Sequence, residues 1–380
     1  MARTVLISGA SVAGPALAYW LHRHGFRPVV VERAGAVRGG GYPIDVRGAA
    51  LDVVDRMGVL PRLREAHVGT RHVTFVDGRG RVRSRVHQDQ LTGRPGGHDV
   101  EIPRGELTRV LHERTRDDVE HVFDDSITAM KQDADGVHVT FQRGAPRTVD
   151  LAVGADGLHS NVRSLAFGPE RGFRRDLGYY FIGFTMDDGL GLDREALFHN
   201  MPGRIAGWYA VGGQARSTAF LAFASPTELP FDPHDVDQQR RLVTTAFADA
   251  GWDVPRMLTA LRTADDVFFD SVSQIRMPRW SAGRVALVGD SAYAPSFLSG
   301  QGTSMALVGA YVLAGELARA EGDHRAAFGA YEWRLRPFVR RNQDLANTGT
   351  FVLIPANRTQ MWLRDRLLGP SPGSARWRTG

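Results

Sequence analysis

The strongest constraint on what this chain can fold into lies in residues 4–33. Residues 4–8 form a short, continuously apolar, β-branched run, the pattern of a central parallel strand buried on both faces. A turn follows, Gly9-Ala10-Ser11-Val12-Ala13-Gly14, then a helical stretch over residues 16–25 and a second buried strand over residues 28–33. Together they read as a βαβ unit in its most compact form. The turn also carries what a dinucleotide-binding loop requires. Gly9 allows the tight turn, Ser11 is small where backbone nears pyrophosphate, and Gly14 lets helix meet strand. Val12 and Ala13 lead into the helix N-terminus, whose N–H groups and positive dipole end suit phosphates. Glu32 closes the second strand, about 20 residues on, where a carboxylate accepts hydrogen bonds from a ribose 2′-OH. Arg33 beside it joins the candidate ligand-binding set. The competing reading is a glycine turn without a ligand; two flanking strands and the acid favour an adenine dinucleotide.

Beyond this unit, strands and helices no longer alternate simply. Residues 73–86 read as a hairpin turning at Asp77-Gly78, and residues 105–116 as a helix followed by strands near 126–131 and 136–143. Residues 177–224 hold several aromatic strand-like runs, and two polar helices are predicted over 235–250 and 254–264. A buried strand over 284–290 leads into a helix over 303–319; residues 323–341 are helical and 364–380 are expected to fray. The predicted class is α/β. A Rossmann-like nucleotide-binding domain (1–70, 98–170 and 266–320) carries an inserted, mostly antiparallel sheet domain for substrate (71–97 and 171–265). C-terminal helices (321–380) close it.

Composition narrows the function. With 380 residues, 43% of them hydrophobic, a large core is available. The formal charge of +5 raises the question of nucleic acid, but Lys131 is the only lysine and the arginines are not gathered into one block, so no nucleic-acid partner is predicted. The absence of cysteine excludes disulfides, thiolate metal sites and cysteine nucleophiles. The histidines lack metal-ligand spacing, and there is no Gly-x-Ser-x-Gly motif. The N-terminus superficially resembles a signal peptide, but Gly9, Gly14 and Pro15 interrupt its apolar run. No segment approaches the roughly 20 unbroken apolar residues of a membrane span. A cytoplasmic protein without membrane insertion is expected, monomer or weak dimer being left open.

Two further motifs carry chemistry. One runs Val153-Gly154-Ala155-Asp156-Gly157 to Arg163; the other runs Gly283 to Asp290, followed by Ser299-Gly300-Gln301-Gly302-Thr303. Asp290 follows a buried strand, so its carboxylate emerges at the strand's C-terminal end, where α/β folds place ligands. Gly300 to Gly302 form a compact loop ahead of a helix, with Thr303 as a plain N-cap the alternative reading. In this order, the three motifs resemble the FAD signatures of the class A flavoprotein monooxygenases, the family of p-hydroxybenzoate hydroxylase and the tetracycline-inactivating monooxygenases. The resemblance spans nearly the whole chain, in the short form of the family.

That resemblance implies FAD as cofactor, with Asp290 on the ribityl chain and Gly300, Gly302 and Thr303 along the flavin's pyrimidine edge, where negative charge gathers on reduction. Asp156 and Arg163 match the motif that serves the FAD pyrophosphate region and the nicotinamide cofactor. Arg104 matches the family's arginine near the FAD phosphates, a solvent-facing helix-start arginine being the alternative. Arg38 and Asp45 sit where tetracycline monooxygenases touch NADPH and FAD, in a loop whose glycines 39–41 permit close backbone approach. An ordinary glycine-rich loop remains the other reading. The implied reaction is reduction of FAD by NADPH or NADH, addition of O2 at C4a, and transfer of one oxygen atom from the hydroperoxide to a hydrophobic or aromatic small molecule, a natural product or xenobiotic.

The chain departs from the family pattern at four places. Tyr293 replaces a histidine, Ser296-Phe297 replace a proline pair, Ser304 replaces an asparagine and Gly309 an aspartate. Tyr293 and Arg47 are the candidate catalytic residues. The departures keep a second reading open: a redox-neutral FAD-containing cyclase or binding protein on the same scaffold. Phe184, Trp208, Phe220 and Phe297 are the candidate substrate contacts, although strand alternation sends roughly half of such aromatics to the packed side of a sheet. His159 reads as a bystander.

Overall fold

A computed structural model describes residues 3–37, 39, 43–87, 99–187, 191–192, 194–210, 216–233 and 235–367. Strand β1 (Thr4–Ser8), helix α1 (Ala13–Arg23) and strand β2 (Arg27–Glu32) form the predicted unit. They belong to a six-stranded sheet in the order Ser281–Ala282, Val285–Leu287, Leu151–Gly154, β1, β2, Glu120–Phe123, parallel except at the Ser281–Ala282 edge. β1 is central and its Val5, Leu6 and Ile7 are buried on both faces, which is why these three are all apolar. α1 and the helix Gly302–Arg319 pack together, and their Leu17, Leu21, Leu307 and Leu313 share one core with β1. A three-stranded antiparallel sheet (Ile127–Gln132, Val137–Phe141, Arg147–Val149) adds Ile127, Val137 and Val139 to that core.

The second body is a seven-stranded sheet. It contains the expected hairpin, His72–Val76 with Val82–His87, and the aromatic strands Arg174–Asp187, Arg204–Ala210 and Arg216–Ala224. It also holds two strands that the sequence reading placed differently. Glu195–Met201 was not predicted as a strand, and Phe268–Ile275, assigned to the nucleotide-binding domain, is hydrogen-bonded along Arg174–Asp187 at the sheet edge. One face of this sheet is covered by the helices Val236–Ala246 and Val254–Leu261. The other turns toward the loops of the first body.

The C-terminal helix is longer than predicted, His324–Leu353, and is started by Asp323, whose side chain accepts from the Arg325 and Ala326 amides. A further helix, Arg358–Leu367, follows. The expectation of fraying from residue 364 is corrected as far as residue 367. Arg364 is buried, donates to Asn200 Oδ1 at 2.6 Å and to the Val352 carbonyl at 3.1 Å, and lies 4.1 Å over the Phe75 ring. A guanidinium with these partners satisfies its donors and stacks its plane at once, so it pins the helix to the sheet. No helix among the described residues is long and apolar enough to cross a membrane.

Candidate functional site

The glycine turn is dictated by contact distances. Gly9 has φ +108°, and a Cβ there would meet the Ala155 carbonyl oxygen at 2.4 Å; a Cβ on Gly14 would meet the Gly9 carbonyl oxygen at 1.9 Å. Neither position admits a side chain without moving backbone. α1 starts with Val12 as its N-cap, has no side-chain cap and no acid in its first turn, and so leaves amide donors at its N-terminus for an anion. Ser11 accepts from Arg104 Nη2 at 3.3 Å, which brings Arg104 to the same turn. Glu32 holds the turn from the other side, accepting from the Ala10 amide at 2.9 Å and the Ala34 amide at 3.0 Å. Arg33 is exposed beside it.

The third motif converges on this turn. Gly289, with φ +68°, places its α-carbon where a Cβ would be 3.1 Å from Ala13 Cβ, so the two loops touch. Asp290 is solvent-accessible yet surrounded by protein, the combination expected of a side chain lining a deep cleft. That enclosure pushes its carboxyl up, against the opposing pull of the Arg104 cation. Its Oδ1 lies 3.6 Å from the Cβ position of Gly302. Helix Gly302–Arg319 has Gln301 as N-cap and no side-chain cap, which disposes of Thr303 as a capping residue and leaves the first-turn amides for a ligand. Gly300 is left-handed, φ +62°, with Arg47 Nη1 4.0 Å from its Cβ position.

Arg47 directly follows a two-stranded ribbon, Pro43–Val46 paired with Val100–Pro103, that borders the same loop. It bridges Asp45 (2.8 Å) and Asp99 (3.6 Å), and its amide donates to Ser304 Oγ at 3.0 Å while that hydroxyl donates to the Asp45 carbonyl at 3.3 Å. Ser304, one of the four departures, thus fastens the ribbon to the helix start. Asp45 is pushed up to about 6, chiefly by burial, with Arg47 pulling down and Glu101 pushing up. Asp99 was missed in the sequence; its signal was the Val100–Pro103 alternation that mirrors the strand of Asp45. Arg38 lies outside the described residues.

The second motif holds Asp290 from behind. Asp156 accepts from Ser160 Oγ, from the Val162 amide at 3.0 Å and from Ser291 Oγ at 3.2 Å. Arg163 is fully buried, donating to the Ser291 carbonyl (3.0 Å), the Leu158 carbonyl (2.6 Å) and Glu170 (2.6 Å). Both therefore grip the residue next to Asp290. His159, read as a bystander to the motif's chemistry, has a structural part: it bridges Glu170 (3.0 Å) and Asp270 of the seven-stranded sheet (3.1 Å). Hydrogen bonds to Asp270 and then Glu170 outweigh burial and raise its pKa to about 9, so it ties the two bodies together as a cation.

Tyr293 is corrected as a catalytic candidate. It is 1% exposed, its hydroxyl is hydrogen-bonded to Tyr331 at 3.0 Å, and its ring lies 4.7 Å from Trp280. Burial pushes its pKa up to about 12, so it neither faces the cleft nor exchanges a proton near neutrality. The reason is written in another departure: a Cβ on Gly309 would lie 1.9 Å from Tyr293 Oη. In this chain the tyrosine at 293 and the glycine at 309 fit one another in the core, away from any reactive face.

Alternation divides the substrate candidates. Phe184 and Trp208 point to the helix-covered face and are buried with Phe247 and Met257, which removes them from the loop-facing side. Phe220, one position out of register with both and so of opposite parity, faces the loops, with Phe181, Phe198 and Tyr209. Phe297 arrives from the loop side and stacks on Phe181 (4.9 Å, 14°) beside Phe220 (5.2 Å). This face is incompletely covered: Tyr179, Tyr209, Phe220 and Phe297 are half-buried.

Two uncapped helix starts, a glycine cradle and an enclosed carboxylate fit a flavin dinucleotide. Comparison with known proteins agrees. Residues 2–346 match the family model described as FAD binding domain. The chain is 46% identical over 346 residues to an uncharacterised protein of Mycobacterium tuberculosis, covering 91% of this chain and 93% of that one. It is 38% identical over 341 residues to a flavin-dependent monooxygenase of Legionella longbeachae, covering 89% and 86%. Among solved structures, tetracycline destructase Tet(55) superposes with a TM-score of 0.86 at 34% identity, over 97% of this chain and 95% of that one.

Proposed function

The chain belongs to the FAD-binding family of flavin-dependent monooxygenases, and from that premise we propose that it consumes NAD(P)H and O2 to insert one oxygen atom into a hydrophobic, aromatic small molecule. One observation carries the reading. The short segment 297–302 presents Gly300 and the uncapped Gly302 amide to the nucleotide side and Phe297 to a half-buried aromatic face on the other. A cofactor held on one side of this turn and an apolar substrate on the other would be neighbours.

Bound FAD would supply the electron store and the activation of oxygen; the chain's own residues do the rest. Asp290, set in place through Ser291 by Asp156 and Arg163, holds the cofactor's sugar-alcohol chain. The positive end of helix Gly302–Arg319 favours negative charge at the loop. The aromatic face excludes water and fixes the substrate carbon, which is the larger part of what positioning contributes to such a reaction. Asp45, raised to about 6 and paired with Arg47 beside Gly300, is the group at this locus able to hold or release a proton near neutral pH. Tyr293 no longer supports the redox-neutral alternative, because its side chain lies in the core.

The test is reductant consumption together with 18O2 labelling. The FAD-loaded protein is expected to oxidise NADPH or NADH faster in the presence of an aromatic substrate and to place one 18O atom in the product. Conversion that persists without reductant, or product carrying no label from 18O2, would overturn the proposal.

A further inference from the structure

Residues 293–296 are the stretch of chain that leads from Asp290 toward the Gly300–Gly302 loop, and their carbonyls depend on two buried glutamines from elsewhere in the fold. The helix Asp290–Tyr293 is a single turn, so the carbonyls at its end have no following turn to bond them, and Pro295 contributes no amide. Gln343 of the helix His324–Leu353 meets this need. Its Nε2 donates to the Ile275 carbonyl at 2.9 Å and, at longer range, to the carbonyls of Ala294 (3.3 Å) and Tyr293 (3.4 Å). Gln274 of the strand Phe268–Ile275 completes the set, its Nε2 donating to the Pro295 carbonyl at 3.0 Å and to the Gln343 carbonyl at 2.7 Å. Arg276 donates to Gln274 Oε1 at 2.9 Å, which leaves Nε2 as the end that faces the stretch. Gln274 is 2% and Gln343 6% exposed, so solvent does not reach in to take over these bonds.

We propose that Gln343 and Gln274 are positioning residues for the flavin: by fixing the carbonyls of residues 293–295 they set where the uncapped helix start at Gly302 stands relative to the Asp290 carboxylate. This assignment rests on the reading of Asp290 and of the Gly300–Gly302 loop as holders of FAD. Two observations separate a positioning device from ordinary packing. The braces converge on the covalent connection between the two holders, one coming from a strand of the other sheet and one from the C-terminal helix. The stretch they hold also ends in a conformation it does not adopt by preference: Ser296 has φ +85° and ψ 147°, a region that residues other than glycine rarely enter. The same C-terminal helix presses on the far end, where a Cβ on Gly349 would lie 2.0 Å from the Leu298 carbonyl oxygen. Loss of a brace lets residues 293–296 relax, and the positive end of the Gly302 helix then stands less well placed against the negative charge that gathers on reduction.

The test is the two-electron midpoint potential of bound FAD, measured without oxygen against a reference dye, alongside thermal unfolding. Gln343→Met keeps the length of the side chain without its donors and is expected to lower the equilibrium constant for flavin reduction by about two- to fivefold, the range of a charge at a helix end. For a two-electron couple that is a fall of about 10–20 mV. Gln274→Met is expected to move the potential in the same direction. Phe184→Leu, buried on the helix-covered face of the sheet, is expected to lower Tm and leave the potential unchanged, which separates positioning from loss of stability. Potentials unaltered in both glutamine variants, or a shift of the same size in Phe184→Leu, overturn the assignment. Should Gln343→Met fail to yield FAD-loaded protein, Gln274→Met, which removes only the bonds to Pro295 and to the Gln343 carbonyl, decides by the same criterion. The potential is read without NAD(P)H, O2 or substrate, so its outcome is independent of whether the oxygen-insertion reading holds, and the cofactor reading is tested separately by the colour of Asp290→Ala.

Discussion

Gly309→Ala offers the sharpest test of the packing behind the cleft. In an exposed helix interior this change stabilises by about 1 kcal/mol, because alanine loses less backbone entropy. Here the new methyl would lie 1.9 Å from Tyr293 Oη, with Tyr293 Cζ at 3.2 Å and Val288 Cγ2 at 3.5 Å. The hydroxyl is the only atom in severe conflict. It cannot swing away, since Tyr293 is buried against Trp280 and bonded to Tyr331. Overpacking of this kind costs about 1–3 kcal/mol, and losing the buried hydroxyl pair adds about 1 kcal/mol, so the net effect is a loss of roughly 1–3 kcal/mol. Tyr293→Phe removes the offending atom. Alone it costs about 0.5–1.5 kcal/mol, since Tyr331 keeps its bond to the Leu287 carbonyl at 3.1 Å. In that background Gly309→Ala is expected to become neutral or stabilising, a coupling of about 2–3 kcal/mol between the two sites. The measurement is urea and thermal unfolding of the four proteins at one fixed, saturating FAD concentration, so that ligand linkage is common to all. Each kcal/mol corresponds to roughly 1 °C in Tm for a chain of this size, so the urea midpoint is the more sensitive readout. If Gly309→Ala changed stability equally in both backgrounds, the account of Tyr293 and Gly309 as a mutually fitted pair would be refuted.

Three further outcomes are expected. Asp290→Ala should purify largely colourless; a full yellow flavin spectrum would remove Asp290 from the cofactor site. Glu32→Ala should weaken FAD retention, measured by equilibrium dialysis, by about 1.5–3 kcal/mol, since a charged acceptor bonded to the turn is lost and the Ala10 and Ala34 amides are freed. Unchanged affinity would show that the turn is held without it. His159 is raised to about 9 in the folded protein, so its contribution to stability is fully present below about pH 6.5 and is lost as the pH rises through about 9. His159→Gln should therefore flatten the decline of the urea midpoint over that interval, and an unaltered slope would deny the imidazolium its bridging role.

Local pattern determined a good deal in this protein. The apolar run of β1, the spacing of Gly9 and Gly14, the acid at Glu32 and the strand ahead of Asp290 each express a requirement met within a few residues, so each is visible in one dimension. The same holds for the Asp77 hairpin and for the helix at 302–319, whose periodicity stands alone. What sequence could not settle were matters of partnership and facing. Phe268–Ile275 reads as a strand of either domain until its hydrogen-bonding neighbour is known. Phe184 and Phe220 are chemically identical, and only the register that puts one parity against helices and the other toward the loops separates them. His159 became a bridge because Glu170 and Asp270, 11 and 111 residues away in sequence, meet it in space. Tyr293 looked reactive beside Asp290, yet the direction of its side chain was decided by the missing Cβ of Gly309 on another helix. Backbone conformation and burial periodicity are near-neighbour properties; the environment of a side chain is a sum over elements brought together by packing, and that sum exists only once the chain has folded.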